Sequence, residues 1–461
     1  MKLFFHGAAG CVTGSNYRLV TEKQTLVIDC GLFQGSVTEE KLNYNPFDYD
    51  PATIDNMILT HAHIDHSGRI PKLVKDGFHG KIYCSKGTKD LAEILLLDAA
   101  KIQEADTEWE NKKRKRAGLE PVEPLYHTDD AYNALSYFYP IPEGEPVTID
   151  GGLTLELTPT GHLLGACSAT LTVEGKRITF SGDLGTANPI LLPAPKSMPP
   201  TDIAICETTY GNRIHPPSEK RIADLIEALT DTLSHGGTAI IPAFSVGRTQ
   251  QILYDIYSHM KNNPNSEIAK YPIYVDSPLA IDATQIYLHH MDELKKEVKL
   301  NLMKNQSPFA PDNLTIVHDM KKSMALNSDV TPKLIISASG MCDAGRIRHH
   351  LKHYLWKPNT AIIFVGYQAE GSVGRAILEG EPQIDLLDEV VAIKARIYKL
   401  SGYSGHGDQT DLINWLKSTP KLEHIILTHG ETDAIEAMRE LVSPFAERID
   451  TPQIGDEVEL T

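Results

Sequence analysis

The sequence predicts an α/β chain with one domain inserted into another, and three observations lead there. Short apolar runs alternate with glycine-rich turns over the first hundred residues, a repeated strand, turn and helix texture fills residues 208–395, and His or Asp residues close apolar runs on both sides of that stretch. At 461 residues the chain is too long for one ordinary core, so two domains are the default.

Taken in order, the runs Lys2 to His6, Tyr17 to Val20 and Thr25 to Ile28 predict short strands joined by tight turns such as Gly7-Ala8-Ala9-Gly10. Asp29 closes the third run. An acid at a strand end is often a turn former, and beside a metal it can instead orient a ligand histidine.

Met57-Ile58-Leu59-Thr60 then leads into His61-Ala62-His63-Ile64-Asp65-His66. Three imidazoles and a carboxylate so close together do not serve packing, because each buried polar group needs a partner. A closed structural zinc site usually uses paired cysteines, and this segment has none. Imidazole nitrogen and carboxylate oxygen are what zinc takes in hydrolytic sites. On extended backbone His61 and His63 project to one side, and Asp65 and His66 face a second, adjacent metal.

From Lys86 to Glu110 the spacing is helical, with Leu91, Ile94, Leu95 and Ile102 on one stripe that Asp98 interrupts. The helix is expected to continue into the basic run Lys112 to Arg116, read as a solvated face. Leu153 to Pro159 leads to His162, Arg177 to Phe180 leads to Asp183, and His424 to Leu427 leads to His429. With the opening motif, four apolar runs place His or Asp at their C-terminal ends, where they can converge on one edge of a sheet.

Between these halves the chain alternates strand, turn and helix, as a parallel α/β domain does. Ala239-Ile240-Ile241 leads through Ser245 into a helix from Arg248, Leu334-Ile335-Ile336 through Ser337 and Ser339 into Arg346 to Leu355, and Ala361 to Val365 into the helix holding Arg375. Both flanks supply ligand candidates, so the stretch is an insertion: 1–207 and 396–461 form one domain and 208–395 the other. Ser245, Arg248, Ser337, Ser339 and Arg375 lie at strand-to-helix turns, where backbone amides favour anions, although Ser or Gly before a helix is also a plain cap.

The formal charge of −17 argues against holding nucleic acid by bulk charge, but not against a nuclease whose metals bring their own positive charge. Six scattered cysteines without a C-x-x-C pair read as reduced thiols. No charged-then-apolar leader opens the chain, and no apolar run approaches the ~20 residues that span a bilayer, so a cytoplasmic protein with no membrane association is expected.

The residues together resemble the β-CASP branch of the metallo-β-lactamase superfamily over essentially the whole chain. The resemblance rests on Asp29, on His61 to His66, on His162 in Gly161-His162-Leu163-Leu164-Gly165-Ala166 and on Asp183 in Ser181-Gly182-Asp183. It rests further on Glu207 in Cys206-Glu207-Thr208-Thr209-Tyr210-Gly211, on His406 in Ser404-Gly405-His406-Gly407-Asp408, and on His429. It implies a metallo-β-lactamase αββα sandwich carrying an inserted parallel α/β β-CASP cap.

It also implies zinc-dependent RNA cleavage like that of the endonuclease subunit of the mRNA 3′-end processing machinery and its bacterial and archaeal relatives. On that pattern two Zn2+ ions are held, one by His61, His63 and His162 and one by Asp65, His66 and His429, with Asp183 bridging. Two-metal hydroxide attack would give 5′-phosphate and 3′-hydroxyl products, internally or from the 5′ end. His406 would protonate the leaving 3′-oxygen with Glu207 as its acidic partner. Asp29 and Asp65 complete the candidate catalytic group, and the cap would hold single-stranded RNA through the five Ser and Arg residues above.

A homodimer is compatible with the resemblance. His429 favours RNA over DNA, since DNA-directed members usually carry another residue there. The glycines flanking His406, where relatives commonly have alanine, are expected to loosen its loop. Two other readings are a lactonase or thioesterase on the same metal core, which would not need so large an insertion, and a non-catalytic RNA-processing scaffold, against which the complete ligand set speaks.

Overall fold

Two seven-stranded sheets make the first of two units, Met1–Ile214 with His406–Thr461, in a computed structural model that describes residues 1–217, 220–304, 307–419 and 422–460. One sheet runs in the order Glu457–Glu459, Lys2–Gly7, Asn16–Val20, Thr25–Ile28, Asn56–Ile58, Lys81–Cys84, Phe138–Pro140. The other runs Ala446–Asp450, Leu422–Thr428, Ile203–Glu207, Lys176–Phe180, Cys167–Val173, Thr154–Pro159, Val147–Thr148.

The period of two along each strand sorts the side chains into layers. Ile203 and Ile205 join Phe5, Leu19, Ile28, Leu157, Leu171 and Phe180 in the core between the sheets. Ala204 and Cys206, one step out of phase, pack under Leu412, Trp415, Ile435 and Met438 of the helices Gln409–Leu416 and Thr432–Val442. Fully burying each large side chain contributes about 1.5–3 kcal/mol. Helices Lys86–Arg116 and Thr128–Leu135 meet around Ala100, Tyr126 and Ala131, giving the αββα arrangement. The long helix starts at Ser85, whose hydroxyl accepts the Thr88 N–H at 3.0 Å, and ends on Lys113 to Arg116, where cations suit the negative end of the helix dipole.

The second unit, His215–Gly405, is built on six strands that pair only in parallel: Leu314–Ile316, Ile273–Asp276, Lys333–Ser337, Thr238–Pro242, Thr360–Phe364 and Arg396–Lys399 in spatial order. Its central strands are buried along their whole length, as strands covered on both faces must be. The units divide at Ile214/His215 and Gly405/His406, later than the 207/208 and 395/396 read from the sequence. The reason at the second boundary is that Arg396–Lys399 pairs with Thr360–Phe364 as an edge strand of the inserted sheet. All six cysteines stand outside any disulfide. Among the described residues no helix is long and apolar enough to cross a membrane.

Candidate metal centre

Parallel pairing of Ile203–Glu207 with Lys176–Phe180 on one side and Leu422–Thr428 on the other brings Asp183, Glu207 and His429 to one edge of the second sheet. Asn56–Ile58 of the first sheet opens into the His61 to His66 segment, and the Cys167 N–H, donating to Thr60 O at 3.0 Å, ties the two sheets together there. The turns are tight. Asp29 and His429 sit at φ +58° and +48°, and a Cβ on Gly31 would lie 1.5 Å from Asp65 O, so only glycine fits.

Two groups of ligating atoms result. His61, His63, His162 and Asp183 form one set that could hold a metal ion, and Asp65, His66 and His429 form another. His63 Nδ1 stands 3.1 Å from both His61 Nε2 and His162 Nε2. His66 Nε2 and His429 Nε2 are 3.0 Å apart. Asp183 lies between the sets, with Oδ2 at 3.3 Å from His61 and 3.4 Å from His162, and Oδ1 at 3.2 Å from His66 and 3.7 Å from His429. The seven candidate ligands named from the sequence are therefore brought together.

In His61, His66 and His429 the nitrogen turned away from the centre has a partner that fixes the ring. Thr60 Oγ1 lies 3.2 Å from His61 Nδ1, Thr209 Oγ1 lies 3.1 Å from His429 Nδ1, and Asp29 Oδ2 lies 2.7 Å from His66 Nδ1. Asp29 also accepts the Thr60 N–H at 2.8 Å and the Ser15 hydroxyl at 3.3 Å. It stands behind His66, where it orients the ring, and does not face the reacting side of the site. Thr60, Thr209 and Ser15 were not singled out in the sequence. The two threonines adjoin quoted motifs, yet nothing local marks a hydroxyl as aimed at an imidazole.

Charge in the enclosure fits a cation. Burial, reinforced by neighbouring imidazoles, pushes His63 down to about 3 and His61 and His162 below their ordinary range, so these rings are neutral, the form that ligates. Burial works against a charged His66, but Asp183 and Asp29 outweigh it and raise the imidazole well above the usual range. Burial likewise opposes ionised Asp65 and Asp183, but the adjacent imidazoles hold both carboxyls down. The buried Asp183 Oδ1 accepts no hydrogen bond. Two ionised carboxylates, one with an oxygen that accepts no hydrogen bond, beside the neutral rings of His61, His63 and His162 are what a pair of divalent cations would satisfy.

A third group, Asp183, Glu207 and His406, adjoins the first two. Glu207 is buried and accepts the Leu184 N–H at 2.6 Å and the Thr209 N–H at 3.3 Å. Its two oxygens each lie 3.2 Å from His406 Nδ1, and His406 Nε2 lies 3.8 Å from Asp183 Oδ2. The His406 side chain is 18% exposed against 0% for Glu207, so the imidazole is the part a substrate can reach. Burial disfavours its charged form, but Glu207 and Asp183 prevail and raise it to about 9. Of the two glycines that flank His406, Gly407 is held in place. Gly407 donates its N–H to Leu184 O at 2.7 Å, and a Cβ there would lie 2.9 Å from Asp411 Cβ and 3.0 Å from Gly185 O.

In the inserted unit, Ser245, Ser337 and Ser339 follow the C-terminal ends of neighbouring parallel strands. Ser245 is buried with its hydroxyl 2.8 Å from that of Ser277, and Ser337 is buried and donates to Asp276 O at 3.1 Å. Both hydroxyls are spent on the domain's own structure, which a strand-end position did not reveal. The Ser339 hydroxyl accepts the Ala344 N–H at 3.3 Å. Arg248 opens the helix Arg248–Asn262 and contacts Gln251, while Arg375 lies in the first turn of Val373–Glu379, with Nε donating to Glu379 at 2.5 Å.

Residues 9–224 match the Metallo-beta-lactamase superfamily, residues 249–377 the Beta-Casp domain, and residues 390–452 the Zn-dependent metallo-hydrolase RNA specificity domain. A ribonuclease of Thermus thermophilus is 36% identical over 99% of this chain and 100% of its own length. An RNase J-like protein of Methanocaldococcus jannaschii is 31% identical over 93% of this chain and 92% of its own. The transcription termination factor FttA of Cenarchaeum symbiosum is 30% identical over 92% of this chain and 65% of its own length. A crystal structure of an Enterococcus faecalis protein of unknown function shares the fold, at a TM-score of 0.53 and 13% identity, covering 100% of this chain and 99% of that one. The three successive domain matches and the end-to-end likeness to the Thermus protein agree with the paired histidine sets: the chain belongs to the β-CASP branch of the metallo-β-lactamase superfamily.

Proposed function

We propose that the chain is a zinc-dependent ribonuclease that hydrolyses single-stranded RNA, internally and from the 5′ end, to 5′-phosphate and 3′-hydroxyl products. The observation that carries this reading is the position of His406: backed by Glu207 on Nδ1, it presents Nε2 toward Asp183, whose two oxygens face His61 and His162 on one side and His66 and His429 on the other. The names of the Thermus and Methanocaldococcus relatives support RNA as the substrate.

His61, His63 and His162 would hold one zinc and Asp65, His66 and His429 the other, with the Asp183 carboxylate within reach of both sets. Bound there, the ions supply Lewis acidity toward a phosphodiester and make water acidic enough to yield a nucleophile near neutral pH. The chain's own residues do the rest. Asp29, Thr60 and Thr209 hold the ligand rings in one orientation. Glu207 keeps the His406 proton on Nδ1 in place, so that Nε2 is the atom that gives a proton to the leaving 3′-oxygen. Arg248, Ser339 and Arg375 are the residues offered for phosphate contact in the inserted unit, since Ser245 and Ser337 are enclosed.

The test is cleavage of an internally labelled single-stranded RNA beside the matching DNA, by zinc-loaded protein with and without chelator. Chelator-sensitive loss of RNA with DNA spared is the expected result. Survival of both polymers alongside hydrolysis of a lactone or thioester would replace the nuclease reading with a small-molecule hydrolase.

A further inference from the structure

The chain passes between the two units at Ile214/His215 and again at Gly405/His406. His406 is thus the first residue of its unit after the second passage, bonded directly to a segment that belongs to the inserted unit. That segment contains the short turn Ser401–Tyr403, and Tyr403 is fully buried.

Beside its ring lies a charged pair. Arg221 donates from Nε and Nη2 to Asp255 at 2.8 and 3.2 Å, and Asp255 is itself buried. The Arg221 guanidinium carbon lies 5.5 Å from the centre of the Tyr403 ring, and burial together with Asp255 holds the phenol far above its ordinary range. The neighbouring Gly402 makes the approach possible, since a Cβ there would lie 2.9 Å from Arg221 Cβ and 3.1 Å from Cγ. Arg221 opens the helix Arg221–Ser234 soon after the first passage, and Asp255 lies on the helix that Arg248 opens. One buried cluster therefore secures the chain on its way in and on its way out.

We propose that Tyr403, seated on the Arg221–Asp255 pair, is a positioning residue that sets where His406 stands. Only Ser404 and Gly405 separate the anchored ring from His406, and on the far side Gly407 and Glu207 hold the loop. A general acid tolerates little displacement, an error of about 1 Å costing on the order of a hundredfold. The metal candidates reach their places by other strand ends, so release of this anchor should spare the metal sets and reduce proton donation alone.

This inference rests on the ribonuclease reading, and the experiment separates the two. Single-turnover and steady-state cleavage of single-stranded RNA would be measured for the wild type, Tyr403→Ala, Tyr403→Phe, His406→Ala and the Tyr403→Ala/His406→Ala double variant, with bound zinc and hydrogen exchange over residues 401–408 recorded for each. The expected result is that Tyr403→Ala lowers kcat by about tenfold or more while KM and zinc content hold, and exchange in the segment rises. Tyr403→Phe restores the rate. In the His406→Ala background Tyr403→Ala then changes the residual rate by less than about twofold, because it acts through a group already gone. Equal losses in both backgrounds, a rise in KM with kcat unchanged, or undiminished turnover would overturn the positioning role while leaving the ribonuclease in place. A wild type that spares RNA would overturn both. Should Tyr403→Ala not fold, Asp255→Asn, which keeps the shape and removes the charge that holds Arg221, carries the same expectations.

Discussion

His66 Nδ1 lies 2.7 Å from Asp29 Oδ2, and its other nitrogen lies 3.2 Å from Asp183 Oδ1, so one imidazole is held between two buried carboxylates. The outer carboxylate fixes the ring, and the inner one lies beside the nitrogen that would hold a metal. Removing the outer charge should weaken zinc about 10–100-fold without removing a ligand, the usual effect of losing a partner behind a ligating histidine. Competition of Asp29→Asn with a chromophoric chelator measures this, and unchanged zinc affinity would show that Asp29 serves only its turn.

For His406 the expectation is a different signature. His406→Ala should retain zinc and lose about a hundredfold or more in turnover, the scale of a lost general acid. Glu207→Gln should lose less, and adding it to His406→Ala should cost little more, since Glu207 acts on the reaction through that ring. Elemental analysis beside single-turnover cleavage distinguishes this from loss of the metal centre.

Stability should follow the metal. Zinc at about a hundred times its dissociation constant adds about 2.7 kcal/mol to a protein that binds it only when folded. Chelation should therefore lower the melting temperature, and Asp183→Asn should abolish most of that difference, because its carboxylate lies within reach of both histidine sets. Melting curves across a zinc titration give the answer.

Gly31 permits a backbone contact that no side chain would. A Cβ there would meet Asp65 O at 1.5 Å and His66 N at 2.7 Å, and backbone atoms cannot swing aside. Gly31→Ala should cost about 1–3 kcal/mol or more and displace Asp65 and His66 together. The check is whether zinc content falls along with the denaturation midpoint.

The inserted unit should carry its own pH dependence through Asp343. Burial pushes that carboxyl up to about 6, against the pull of the Val373 N–H at 2.8 Å and of Arg348. An acid whose folded value is raised binds its proton more tightly in the folded state, so its stabilising contribution is complete below about pH 4 and is lost as pH rises through about 6. Asp343→Asn, whose amide oxygen can still accept the Val373 N–H, should remove this decline. Denaturant melts at pH 4, 5, 6 and 7 would show it as a flattened profile.

The sequence by itself determined the candidate ligands and most of the elements. Thr25 to Ile28 was read with the bounds the strand has, and the long helix was expected to run into its basic end, as it does to Arg116. His61, His63, Asp65, His66, His162, Asp183 and His429 could be named because residue type, period and position at a strand end are local properties. The tertiary structure decided what depends on partners distant in the chain. It chose which nitrogen of each ring faces inward, put Asp29 behind His66, enclosed Ser245 and Ser337, and carried the inserted sheet on to Arg396–Lys399. It also seated Tyr403 on Arg221 and Asp255. None of these has a signature in its own stretch of chain, because each is set by a contact that exists only once both sheets and the inserted domain have formed.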